Sequence, residues 1–339
     1  MKRFFLLTLA SAALLGASAA PVKTYEVKSP DGRLALVLTA GERLSFTVAR
    51  DGETLVAPSE MALTLSTGEV LGESPRVRSA RRRAVTETID APLYRQSRFD
   101  AAYNELDLRL RGDYGILARA YDDGVCYRFY TERDGELTIV DETAQLNFEG
   151  DPSAYIPYSK TEIPMRTSFE NTYEYAPLSK FRTQTVAFMP VLVDLGERGY
   201  VLYTESDVEA YPGVYLTYDK EAKGFAARFA EYPTETSLTK RFQDVVERSA
   251  DYIARVDGRR SYPWRIVAYA ATATELPVND MVWQTAEASR VADASWVRDG
   301  KIAWDWWNNW GVYGVDFKSG INTETYKYFI DFAAANGIE

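Results

Sequence analysis

Hydrophobic and polar residues alternate with a period of two along most of this chain. Leu34, Leu36 and Leu38 are spaced by smaller residues, Phe46 and Val48 follow Gly41, and Leu63 and Leu65 come next. Leu106, Leu108 and Leu110 alternate with Asp107 and Arg109. Such alternation predicts strands with one buried face. Asp31-Gly32, Asp51-Gly52 and Asp134-Gly135 supply turn signals between these runs. Asp122-Asp-Gly124 separates Ile116–Tyr121 from Val125–Tyr130, which predicts a hairpin. Further strands are expected at Val186–Val193, Gly199–Thr204, Val214–Tyr218 and Trp264–Ala271. Short strands at this density, without a fixed repeat, predict a large antiparallel β-sandwich over residues 20–275.

The pattern changes after Leu276. Pro277 opens a stretch with one or two helical turns at most, and residues 276–300 read as a linker. Lys301–Trp310 then reads as a strand ending in aromatic and amide side chains. Asn322–Asn336 reads as a helix capped by Asn322 or Thr323 and closed by Gly337. Tyr326, Phe329, Ile330 and Ala333 fall on one stripe of it. A single strand–helix unit cannot bury both apolar faces, so 301–339 is expected to begin a second, incomplete domain.

Residues 1–19 have the form of a signal peptide: Lys2 and Arg3, an apolar run from Phe4 to Leu15, and Ala17-Ser-Ala19 before the cut. The apolar run is too short to span a bilayer, and no Cys follows to carry a lipid, so no membrane anchor is expected. Periplasmic or secreted location follows. The net charge is −10, and two units more negative once Lys2 and Arg3 leave. That argues against nucleic acid. The run Arg76, Arg78, Arg81, Arg82, Arg83 lacks stacking aromatics and reads as a solvated strand edge or loop. Cys126 is the only cysteine and reads as a small buried hydrophobe. The absence of histidine excludes Ser-His and Cys-His nucleophiles and His-ligated zinc within these residues.

Three segments carry candidate chemistry. Trp304-Asp-Trp-Trp-Asn-Asn-Trp310 combines flat apolar faces with amides, suited either to core packing or to a sugar ring; as a strand it would set Asp305 and Trp307 opposite Trp304 and Trp306. Extended, Tyr203–Gly213 would align Glu205, Asp207 and Glu209 as a solvated edge or as oxygen ligands for Ca²⁺. Glu170–Tyr175 is polar, aromatic and loop-like, suited to a cleft wall or a surface loop.

Gly300–Asn309, Tyr313–Lys318 and Gly320–Ala333 closely resemble glycoside hydrolase family 97, and Thr204–Tyr215 is a second match. The resemblance implies an exported α-glucosidase or α-galactosidase, with an amino-terminal β-super-sandwich followed by a (β/α)8 barrel whose first unit starts at residue 301. It implies an active-site Ca²⁺ to which the sandwich contributes Glu205, and an oligosaccharide substrate touched by Trp307 and Asn308. Asp207 and Glu209 are then expected to stay solvated. The catalytic carboxylates are expected beyond residue 339. The alternative is a standalone carbohydrate-binding sandwich, which would end near Ala273 rather than within a strand–helix unit.

Overall fold

The computed structural model describes residues 22–160, 165–239 and 244–338. The leader read over residues 1–19 lies outside them. The chain divides into two units: Phe99–Glu287 with the residues up to Ile89, and Asp90–Arg98 with Ala288–Glu339.

The first unit is built on one long strand, Gly124–Asn147. Along one side its first half pairs with Tyr114–Tyr121 through the expected Asp122–Asp123 hairpin, and its second half with Glu53–Leu65. Along the other it pairs in turn with Trp264–Ala270, Ala254–Ser261 and Gly224–Phe229. Lys23–Lys28, Leu34–Ala40, Leu44–Arg50 and Glu53–Leu65 form an antiparallel meander, turning at Gly32 and Gly52 as the Asp-Gly signals predict. Beyond Trp264–Ala270 the order continues through Tyr200–Ser206, Val191–Asp194, Ser153–Ile156 and Glu174–Pro177. The large antiparallel sandwich is thus present.

Alternation places the main core. Leu34, Leu36, Leu38, Phe46, Leu63, Leu106 and Leu108 bury together with Val125, Tyr127 and Phe129 of the long strand. The intervening Cys126 points the other way, into a smaller cluster with Tyr103, Tyr121, Trp264, Ile266, Ala268 and Met281. Trp264–Ala270 is buried at every position because it is covered on both faces. Cys126 is therefore the buried hydrophobe expected of it, and burial pushes its thiol up to about 12.

Four expectations are corrected. Asp134-Gly135 is no hairpin turn: it lies inside the long strand, opposite a register shift between Asp257 and Arg259, where the bulge absorbs the residue with positive φ. Val186–Val193 yields only Val191–Asp194, since Pro190 has no N–H for a ladder. The linker expected from residue 276 is packed as far as Glu287. Met281–Thr285 is a short helix with Met281 and Thr285 buried, Thr285 and Ser206 share a hydroxyl hydrogen bond of 2.7 Å, and the division of units falls after Glu287. Gly124 makes room for this helix, because a Cβ there would lie 2.1 Å from the Met281 sulfur. The fourth concerns Lys301–Trp310, which is no strand. A strand needs a neighbour for its backbone groups, and among the described residues none pairs with this segment. Asp305–Asn308 instead closes a 3₁₀ turn, with Trp307 N–H donating to Trp304 O at 3.2 Å.

In the second unit Thr323–Asn336 is the expected helix. The Asn322 side chain accepts from Thr325 N–H, and Gly337 closes it with φ 61°. Its stripe differs. Only Ala333 of the four residues is buried, along with Thr325, while Tyr326 and Ile330 are exposed. The arginine run lies in and just before Val77–Asp90 and is largely exposed, a solvated strand as expected. Among the described residues no helix is long and apolar enough to cross a membrane.

Candidate functional site

Antiparallel pairing of Tyr200–Ser206 with Trp264–Ala270 sets Glu205 directly across from Arg265. Arg265 is buried, and its guanidinium is shared by two carboxylates. Nε and Nη2 donate to Glu142 Oε1 and Oε2 at 2.8 and 2.7 Å, and Nη1 donates to Glu205 Oε2 at 2.5 Å. Glu142 belongs to the long strand and is buried as well. Glu205 is less so: its side chain is 14% exposed, and its Oε1 accepts from Val214 N–H at 3.0 Å. Burial raises the Glu205 carboxyl above its ordinary range, with Arg265 and the Val214 N–H opposing that rise. Burial works against the charge on Arg265, yet Glu142 and Glu205 hold its pKa well above the usual value. Two carboxylates share one guanidinium, which leaves the group one formal negative charge in excess, with Glu205 the less buried of the two.

The expected row of Glu205, Asp207 and Glu209 does not form. The strand ends at Ser206 and Asp207 turns left-handed at φ 55°, which takes its side chain out of the alternation. Asp207 is not solvated, contrary to expectation. It pairs with Arg128 at 3.2 Å and accepts from Glu287 N–H at 2.9 Å, tying the end of the strand to the end of the packed linker. Glu209 is exposed as expected.

Beside this lies a cluster that sequence reasoning missed. The Trp264 ring sits between two guanidiniums, Arg119 at 4.8 Å and Arg128 at 4.4 Å. Arg119 and Arg83 both donate to the buried Glu105. Burial alone would raise the Glu105 carboxyl, but the hydrogen bonds from Arg83 and Arg119 bring it below its ordinary value. Arg83, read from the sequence as part of a solvated run, was the one available signal.

Ca²⁺ takes six to eight oxygen ligands. Each Glu205 oxygen keeps a lone pair beyond its one hydrogen bond, so the carboxylate fits as a single donor. Among the described residues no three acidic, histidine or cysteine side chains group in a way that could hold a metal ion. These residues offer one ligand and not a site.

Trp307 and Asn308 lie in the 3₁₀ turn of the second unit, so the expected strand alternation is replaced by helical spacing. Trp304 packs on Trp307 with centroids 6.1 Å apart, and Trp306 stacks on Trp310 at 5.6 Å and 16°. Trp307 is 83% exposed, and Asn308 is exposed with its amide donating to Gly311 O. Trp310 Nε1–H reaches Asp305 Oδ2 at 2.9 Å and the Tyr326 hydroxyl at 3.2 Å, joining the turn to the helix. Apart from its contact with Trp304, the Trp307 ring is exposed in this unit.

A family model described as "Glycosyl-hydrolase 97 N-terminal" matches residues 27–287, ending where the packed linker ends. A retaining alpha-galactosidase of Bacteroides thetaiotaomicron is 39% identical over 94% of this chain and 49% of its own length. A probable retaining alpha-galactosidase of Streptomyces bingchenggensis is 28% identical over 91% of this chain and 43% of its own. The chain thus spans about half the length of the curated relatives it matches. Among solved structures, a glycoside hydrolase family 97 enzyme of Pseudoalteromonas sp. strain K8, in complex with acarbose, shares the fold with a TM-score of 0.75 at 18% identity, over 93% of this chain and 46% of that one. A beta-arabinopyranosidase gives 0.72 at 20% identity, over 93% of this chain and 50% of that one.

Proposed function

This chain belongs to glycoside hydrolase family 97 through its amino-terminal domain, and from that premise we propose that it is the front portion of an exported, retaining α-galactosidase acting on oligosaccharides. The observation that carries the reading is the 39% identity to a retaining alpha-galactosidase across nearly the whole chain. Export is supported by the leader-like residues 1–19. Retaining hydrolysis uses one carboxylate as nucleophile and one carboxylic acid to protonate the leaving oxygen, and no carboxylate of this chain is assigned to either role.

The chain's own residues serve binding. Glu205 supplies one oxygen donor to a calcium ion whose other ligands lie outside the described residues, and the excess negative charge of the Glu142–Arg265–Glu205 group favours a cation there. Calcium would supply Lewis-acid polarisation of a substrate oxygen. Trp307 offers an exposed indole face to a sugar ring, and Asn308 an amide for its hydroxyls.

The test is an assay of the full-length protein on nitrophenyl α-galactoside and α-glucoside, with the first-formed anomer followed by proton NMR. Galactoside turnover releasing α-galactose is the expected result. Preference for the glucoside, or first release of the β-anomer, would overturn the reading.

A further inference from the structure

Arg265 is the one charged residue of Trp264–Ala270, a strand buried at every position. A buried ion pair adds little to stability by itself, since well-packed apolar residues often serve a core as well or better. The arrangement around Arg265 does more than balance charge. Glu142 accepts from Nε and Nη2 side by side, which fixes the plane of the guanidinium from one edge. The Phe229 ring lies against the same group, with its centroid 5.4 Å from Cζ. Fixed on an edge and a face, the planar fork presents Nη1 along a set direction, toward Glu205 Oε2. Val214 N–H holds the other Glu205 oxygen. The Glu205 carboxylate is thus gripped at both oxygens, and its plane is set before any cation arrives. An arginine beside a cation site would by itself repel the cation. Glu142 cancels that charge, so Glu205 gains the orienting hydrogen bond and the group keeps its excess negative charge.

We propose that Glu142 and Arg265 are positioning residues for calcium: Glu142 orients Arg265, and Arg265 orients Glu205 toward the ion. The inference rests on the calcium ligand proposed above and adds the two residues through which that ligand is set. Neither of them touches the ion. A carboxylate free to rotate loses that freedom on binding a cation, whereas one already fixed does not, so the pair acts on affinity.

The experiment titrates calcium chloride into the metal-free full-length protein by calorimetry. It compares wild type, Glu205→Gln, the double variant Glu142→Gln/Arg265→Gln, and Arg265→Lys. The double variant removes one charge of each sign, so the formal charge around Glu205 is unchanged and only the clamp is lost. It should bind calcium about ten- to hundredfold more weakly than wild type. Added to Glu205→Gln, the same two changes should weaken binding no further, because they act through that carboxylate. Arg265→Lys keeps the charge without the fork and should also bind more weakly; it decides the matter if thermal melting shows the double variant unfolded. Unchanged affinity in the folded variant, or an equal loss with and without Glu205, would make the pair part of the scaffold alone and overturn the proposal. If Glu205→Gln itself leaves calcium affinity unchanged, the calcium assignment falls and takes the proposal with it. Binding is read without substrate, so none of these outcomes depends on galactoside turnover.

Discussion

Replacing Arg265 with leucine would leave Glu142 buried without its bidentate partner and Glu205 with only its hydrogen bond from Val214 N–H. Breaking a buried pair from one side costs about 3–5 kcal/mol, and urea unfolding of the variant should show a loss of that order. Glu205→Gln, at a more open position, should unfold nearly as wild type. If Glu205 ligates calcium as proposed, that variant should bind calcium at least tenfold more weakly by titration, and an unchanged affinity would remove Glu205 from the metal. Cys126 should resist a thiol-disulfide reagent at pH 8 until the protein unfolds, because burial keeps it protonated and covered. Glu205 was legible in the sequence as one of three alternating acids. Its partners were not, since Arg265 lies 60 positions from Glu205 and 123 from Glu142, and only strand pairing brings them together. Asp207 was misjudged for a local reason: a left-handed turn at one residue removes it from the row.

At the scale of elements, the Asp122–Asp123 hairpin and the segment before Met281 depend on each other. Asn279 Nδ2 donates to Asp123 O at 3.0 Å and to its Oδ2 at 3.2 Å. Burial, with help from Asp280 and Asp122, pushes the Asp123 carboxyl up to about 6. An acid whose folded pKa is raised binds more protons folded than unfolded between its ordinary value near 3.8 and about 6. Stability therefore falls as pH rises through that window, and the penalty is complete above it. Asp123→Asn should accordingly stabilise the protein by about 1–2 kcal/mol at pH 7 and lose most of that advantage near pH 4, as paired thermal melts would show. Gly124→Ala should do the opposite. Its Cβ would displace Met281, costing about 1–3 kcal/mol and opening residues 276–287 to protease. Hairpins with two-residue turns were readable because turn chemistry and alternation agree locally. Asp134-Gly135 carries the same dipeptide, yet the strand runs through it because Ala254–Ser261, more than a hundred residues later, pairs on both sides of the bulge. Lys301–Trp310 has strand-like composition, but strand state depends on a neighbour as much as on its own residues.

For the molecule as a whole, the first unit buries its apolar residues in a large core and a smaller cluster beside it, whereas Trp296, Ile302, Trp304, Trp306, Trp307, Tyr313 and Ile330 of the second lie exposed. Limited proteolysis of the 339-residue chain should leave a core ending near Glu287. Protection through to Glu339 would show that the second unit packs more firmly than these exposures indicate. The sandwich itself was legible from alternation and turn spacing. The extent of the packed linker was not, because Met281 is held by a space at Gly124 that no local pattern announces. The long strand Gly124–Asn147 sets a further condition, one of time. One of its edges is closed early by strands made before it or beside it, but Cys126 must wait for Ile266 to close the other. At about 5–20 residues per second, ribosomal synthesis leaves that edge open for on the order of ten seconds. An unpaired edge of such length is a template for pairing between chains. Yield on overproduction should thus depend on how quickly the nascent chain is bound by a holdase, more than on the stability of the finished sandwich.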